Sequence, residues 1–170
     1  MLISYKGITP NIHPTVFIAE GAKIIGDVVM EKDASVWFNT VIRGDVNYIR
    51  IGERTNIQDN CILHVRKDKY PLIIGANITV GHGAILHACV IKEHCLIGMG
   101  ATVLDDAQVG SFCLIAAGAV VKEHQKIPEG MLVAGVPAKI IRPLTVEEKQ
   151  MIIQSAENYV QYVRSYRESF

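Results

Sequence analysis

At 170 residues the chain fits a single domain with a full core. Its 17 Lys plus Arg balance 17 Asp plus Glu, a formal net charge of zero, so no global field draws in a phosphate backbone, and nucleic acid is set aside as a partner. Apolar residues at 49% with charged residues at 20% exclude a disordered chain, while aromatics at only 6% favour many thin repeated layers over one bulky core.

The chain opens on Met1-Leu2-Ile3-Ser4-Tyr5-Lys6, which lacks the basic and then apolar order of a secretory signal. No later run reaches the length of a membrane span. The expectation is a cytoplasmic protein without membrane association. From Ile12 an aliphatic residue recurs every six positions, through Ile18, Ile24, Met30, Val36 and Ile42. After three extra residues the pattern resumes at Ile51, Ile57 and Leu63, after five more at Ile74, Val80 and Leu86, and with one missing at Ile91, Ile97 and Val103. It then continues through Val109, Ile115, Val121, Ile127 and Val133. Period six fits neither the 3.6 of a helix nor the alternation of a long strand. It suits short strands joined by corners, three to a triangular coil, with coils stacked about 4.8 Å apart.

In this scheme the aliphatic position points inward. Small residues such as Cys95, Ala101, Ala107, Cys113 and Ala119 fill the corners, as does Cys61, while Cys89 has no assigned place. Glycine after the aliphatic residue, as in Ile51-Gly52, Ile97-Gly98 and Val109-Gly110, is expected where the backbone bends sharply. None of the four cysteines forms a Cys-x-x-Cys pair, and reduced thiols in a reducing compartment are expected. The basic cluster Arg66-Lys67-Lys69 falls in the five-residue insertion and reads as a solvated loop.

Three of the six histidines occupy telling places in the repeat. His64 follows inward Leu63 and His87 follows inward Leu86, one coil on, so the two imidazoles stack on neighbouring rungs where they could share a metal. Catalytic zinc sites use three protein ligands and one open position. His82, in Gly81-His82-Gly83, lies one corner from His87, and a wall of about five extended residues spans roughly 16 Å. The third ligand is therefore expected from a neighbouring subunit, in a three-fold assembly. His13, His94 and His124 read as structural.

Beyond Pro143 the pattern changes. Thr145 with Glu148 forms a capping box, and Ile152, Ala156, Tyr159, Val163, Tyr166 and Phe170 mark one face of an amphipathic helix. The expected organisation is an all-β solenoid over residues 1–143, covered by a C-terminal α-helix over residues 144–170.

The six-residue repeat resembles the hexapeptide-repeat proteins, which implies a left-handed parallel β-helix. Arg43-Gly44-Asp45, Asn56-Ile57-Gln58-Asp59-Asn60, Leu63-His64, Gly81-His82-Gly83 and Leu86-His87 sharpen the match to the gamma-class carbonic anhydrases, in their compact branch. The resemblance implies zinc, or else iron or cobalt, on His64, His87 and a His82 donated across a homotrimer interface. It implies reversible hydration of carbon dioxide to bicarbonate by metal-bound hydroxide. Gln58 would orient the hydroxide or bicarbonate, and Arg43, Asp45 and Asp59 would form ion pairs between subunits beside the site. Tyr159 would line the site from the helix. The chain departs from the family prototype at Val46, where a glutamate is usual, and in its short basic segment 65–71. Three other functions stay open: an acyltransferase using one histidine as general base, a metal-dependent acyl-coenzyme A thioesterase, and a non-catalytic trimeric assembly protein.

Overall fold

The computed structural model describes residues 1–169, and Phe170, the last member of the helical stripe, lies outside them. The chain folds as a left-handed parallel β-helix of about seven turns, closed by one C-terminal helix. Each aliphatic column of the sequence becomes the inner face of one wall. On the first wall Ile42, Leu63, Leu86, Val103 and Val121 are in register on successive rungs. On the second wall the series runs Met30, Ile51, Ile74, Ile91, Val109 and Ile127. On the third it runs Ile18, Val36, Ile57, Val80, Ile97, Ile115 and Val133. From Ile24 to Val133 every member is at most 3% exposed, and each such side chain contributes roughly 1.5–3 kcal/mol of burial.

The corners show a shared design. His94, Asp106, Phe112 and His124 have positive φ, and so do Gly100 and Gly118. Cys95, Ala101, Ala107, Cys113 and Ala119 each follow one of these turning residues and are at most 1% exposed. Cys89, which had no place in the sequence reading, follows Ala88 at φ 50° and is fully buried, so it is the corner residue of the coil that lost one position. All four cysteines are free and buried.

The glycines after the inward residue have a different cause from the one expected. Gly52, Gly75, Gly81, Gly98 and Gly110 do not take positive φ. A Cβ on Gly98 would instead lie 2.4 Å from the Ala117 backbone nitrogen of the next coil, and one on Gly110 would lie 2.6 Å from that of Glu129. Close stacking of coils, rather than sharp bending, excludes a side chain.

The register breaks build the departures from a regular prism. Lys23–Met30 and Val41–Ile51 run as continuous strands from the first wall into the second, where short strands and a corner were expected. Gly26 pairs with Gly44 and Val28 with Ile49, so the three extra residues are absorbed around Asp45 to Tyr48. The five extra residues fall within the 65–71 loop, pinned by mutual pairing of Arg66 and Tyr70. A short antiparallel strand, Lys139–Pro143, closes the third wall and carries no six-residue signal.

The helix Val146–Ser169 starts as the capping box requires. The Thr145 N–H donates to Glu148 Oε2 at 2.9 Å, and the Glu148 N–H donates to Thr145 Oγ1 at 3.2 Å. Its 24 residues extend about 36 Å, enough to run the stack from last coil to first. Thr79 on the third wall shares a hydrogen bond with Ser155 at 3.0 Å, and near the helix end Arg167 donates to the Thr15 carbonyl at 2.7 Å. Ile152, Ala156 and Val163 are the helix's buried residues. Among the described residues no helix is long and apolar enough to cross a membrane.

Candidate metal centre

Parallel pairing places Arg43, His64 and His87 side by side on the outer surface of the first wall, on consecutive rungs. His64 Nδ1 and His87 Nε2 face each other at 3.2 Å. The opposite nitrogen of each ring meets a carboxylate, His64 Nε2 on Asp45 Oδ1 at 3.0 Å and His87 Nδ1 on Asp105 Oδ1 at 2.5 Å. Arg43 also donates to Asp45, and Arg66 donates to Asp105 Oδ2 at 2.9 Å.

The electrostatics of this group fix its tautomers. Burial alone would raise the Asp45 carboxyl, but the hydrogen bonds from His64 and Arg43 outweigh it and hold it below the ordinary value. Burial likewise raises Asp105, and hydrogen bonds from His87 and Arg66 overcome it. An ionised carboxylate only accepts, so each imidazole must donate the N–H on that side. With both rings neutral, the facing nitrogens, His64 Nδ1 and His87 Nε2, would both present lone pairs. Burial, opposed by the Asp45 hydrogen bond, lowers His64 and so favours the neutral form, the form that binds metal.

Two opposed lone pairs at this distance are relieved by a shared proton or by a metal ion between them. Two nitrogens each roughly 2.0–2.1 Å from one zinc at a tetrahedral angle would lie about 3.3 Å apart, close to the 3.2 Å observed. Histidine ligands backed by carboxylates are the usual outer support of a metal. By these two criteria the residues present fit a metal ion.

His82 carries the same support at the other end of the first wall. Its Nδ1 meets Asp59 Oδ2 at 2.6 Å, and its ring is 46% exposed. Gln58, only 5% exposed, lies beside it. The Gln58 Oε1 accepts from the His82 backbone N–H at 3.2 Å, while its Nε2 donates to Asn56 Oδ1 at 3.2 Å. Tyr159 packs edge-on to Trp37 at 5.3 Å and, with His82 and Asp59, lines a cavity of about 270 Å3. Burial pushes its phenol up to about 12. One chain therefore brings His64 with His87, and His82 with Gln58, Asp59 and Tyr159, into two separate groups. Among the described residues no three His, Cys, Asp or Glu side chains converge as a metal site within the chain.

The structure also draws in residues the sequence reading missed. Asp105 lies 18 residues after His87, one coil on, and that count is the signal that could have found it. Arg66 was read as part of a solvated loop, and it is instead the partner of Asp105. Lys67, 75% exposed, keeps the solvated reading. Asp45 and Asp59 engage His64 and His82 of their own chain. His13 with Thr15, His94 stacked on Phe112 at 4.8 Å, and His124 with Asp106 all lie at corners away from both groups.

Residues 88–123 match the model of the bacterial transferase hexapeptide repeat (six repeats). A carbonic anhydrase of Geobacillus kaustophilus is 45% identical over 98% of this chain and 91% of its own. The chain belongs to the gamma carbonic anhydrase family. The mitochondrial gamma carbonic anhydrase 2 of Arabidopsis thaliana is also 45% identical, over 89% of this chain, which spans only 56% of that longer relative. Among solved structures, one titled as a putative acetyltransferase of Bacillus cereus superposes with a TM-score of 0.97 at 44% identity, covering 100% of this chain and 98% of that one.

Proposed function

We propose that the chain is a metal-dependent carbonic anhydrase that hydrates carbon dioxide reversibly to bicarbonate at a site shared between the subunits of a homotrimer. The observation that carries this reading is the pair of facing histidine nitrogens at 3.2 Å, each ring backed by a carboxylate. A third histidine is prepared in the same way at the far end of the same wall. Zinc, with iron or cobalt as chemically acceptable substitutes, would be held by His64 and His87 of one subunit and by a partner subunit's His82. Bound there, it supplies Lewis-acid activation of water near neutral pH.

The chain's own residues do the rest. Asp45, Asp59 and Asp105 accept from the imidazoles and keep the ligating nitrogens bare. Arg43 balances the charge of Asp45. Gln58 keeps one N–H beyond its bond to Asn56 and can orient bicarbonate without taking a proton. Tyr159, with a phenol protonated at any working pH, shapes the wall of the site and does not shuttle protons. The outer surface between the two histidine groups carries Ile62 and Ile85, 48% and 39% exposed, an apolar strip suited to burial between subunits. Four free, buried cysteines fit a reducing, cytoplasmic setting.

The acetyltransferase title of the Bacillus cereus chain supports a second reading, acyl transfer with one histidine as base. That chemistry has no use for two facing imidazoles with fixed tautomers. Metal analysis with stopped-flow carbon dioxide hydration separates the two. Near one metal per chain with hydration activity supports the proposal. A metal-free trimer that acylates an amine from acetyl-coenzyme A contradicts it.

A further inference from the structure

The two irregular insertions of the β-helix meet at one residue. Arg66, in the second, takes a hydrogen bond on its carbonyl from Asn47 Nδ2 in the first at 3.1 Å. Its own N–H donates to the Tyr70 carbonyl at 3.0 Å. The guanidinium thus held reaches across 39 positions of sequence to Asp105 Oδ2. Asp105 is a buried charged side chain, 6% exposed, and its second oxygen takes the Nδ1 side of His87. The carboxylate is spent on these two partners.

We propose that Asp105 and Arg66 are positioning residues: Arg66 fixes the Asp105 carboxylate, which in turn fixes the tautomer and ring plane of His87 so that its Nε2 is presented bare toward His64. The insertions then serve as a bracket for one metal ligand. Arg66 acts only through Asp105, because its guanidinium has no bond to either histidine. The inference rests on the shared metal site proposed above, whereas neither residue would touch metal or substrate. Two geometric features separate this arrangement from an ordinary surface ion pair. Asp105 is buried, and its two oxygens face in different directions, one to a loop and one to a ligand.

The test is zinc affinity of the metal-stripped full-length protein, measured by competition with a chromophoric chelator, with apo melting temperature and oligomeric state recorded alongside. D105N keeps the shape and one acceptor and guards against a misfolded D105A. Expected are a loss of zinc affinity of about 10- to 100-fold in D105A and a smaller loss in D105N. R66A should lose less than D105A, and R66K should recover part of that loss. The double variant R66A/D105A should bind no more weakly than D105A alone, because Arg66 has nothing left to hold. Stoichiometry should stay unchanged throughout. Affinity within two-fold of wild type in both D105A and D105N overturns the inference, and so does an additive further loss in the double variant. H87A is the separate control on the site itself: stoichiometric zinc at wild-type affinity in H87A would overturn the metal site, and the bracket with it.

Discussion

Gly98 occupies backbone that any residue could adopt, yet its missing Cβ would lie 2.4 Å from the Ala117 nitrogen one coil away. Gly98→Ala must therefore push two coils apart, and it is expected to cost about 1–3 kcal/mol, read as a lower denaturant midpoint with an unchanged slope. At Gly83, where φ is +69° and nothing lies within 4 Å of the built Cβ, the penalty is conformational and should be smaller. Gln58 presents a different residue-scale question, because its amide is buried and half committed to His82 and Asn56. Gln58→Ala should lower turnover on the order of 100-fold, as removal of one orienting donor does elsewhere, with metal content intact. Equal loss of metal and turnover would instead make Gln58 a support of the His82 backbone. Such roles were hard to read from residue types. The sequence shows that glycine follows the inward position, but only the contact distance between coils reveals why. Residue type does not mark Asp105, because its two partners come from different coils, and one of them from an insertion.

At the scale of elements, the six-residue columns were legible because most strands are only two or three residues long and the inward position repeats within each run between the breaks. The walls follow directly, with inward partners in register across all three breaks. The breaks themselves could be counted but their shapes could not. Three extra residues gave a continuous strand swinging around a Gly26–Gly44 contact, and five gave a loop with its own internal pairing. The terminal strand Lys139–Pro143, exposed along its length and antiparallel, has no inward column and so left no periodic trace. The helix start was fully legible as Thr145 and Glu148. Glu148 is also paired through both oxygens with Arg142 at 2.7 Å, and its carboxyl is held at about 2 against an ordinary 4.5, chiefly by that arginine. A carboxyl lowered on folding stabilises above its unfolded value and loses that contribution as pH falls through its folded one. The melting temperature of wild type should therefore exceed that of Glu148→Gln above pH 4.5, and the difference should shrink between pH 4.5 and about 2. A gap independent of pH would show that the Glu148 charge does not contribute to the cap.

On the whole-molecule scale, the triangular cross-section decides the chemistry. His64 and His87 stack because successive coils are in register, and His82 is kept from them by the width of one wall. In the function proposed, a site with three histidines would then belong to the assembly rather than to the chain. The exposed Ile62 and Ile85 between the two groups give the surface on which that assembly would form. Subunit complementation tests this most directly. One variant, His82→Ala, keeps the pair but lacks the third ligand, and a second, His64→Ala with His87→Ala, keeps only the third. Each alone should form trimers without tightly bound metal. Refolded together, mixed trimers should regain one tightly bound zinc each, because a three-fold ring of two kinds of chain contains a single complete interface. Stoichiometric zinc in His82→Ala alone, or mixed trimers that stay empty, would contradict a metal site shared between subunits.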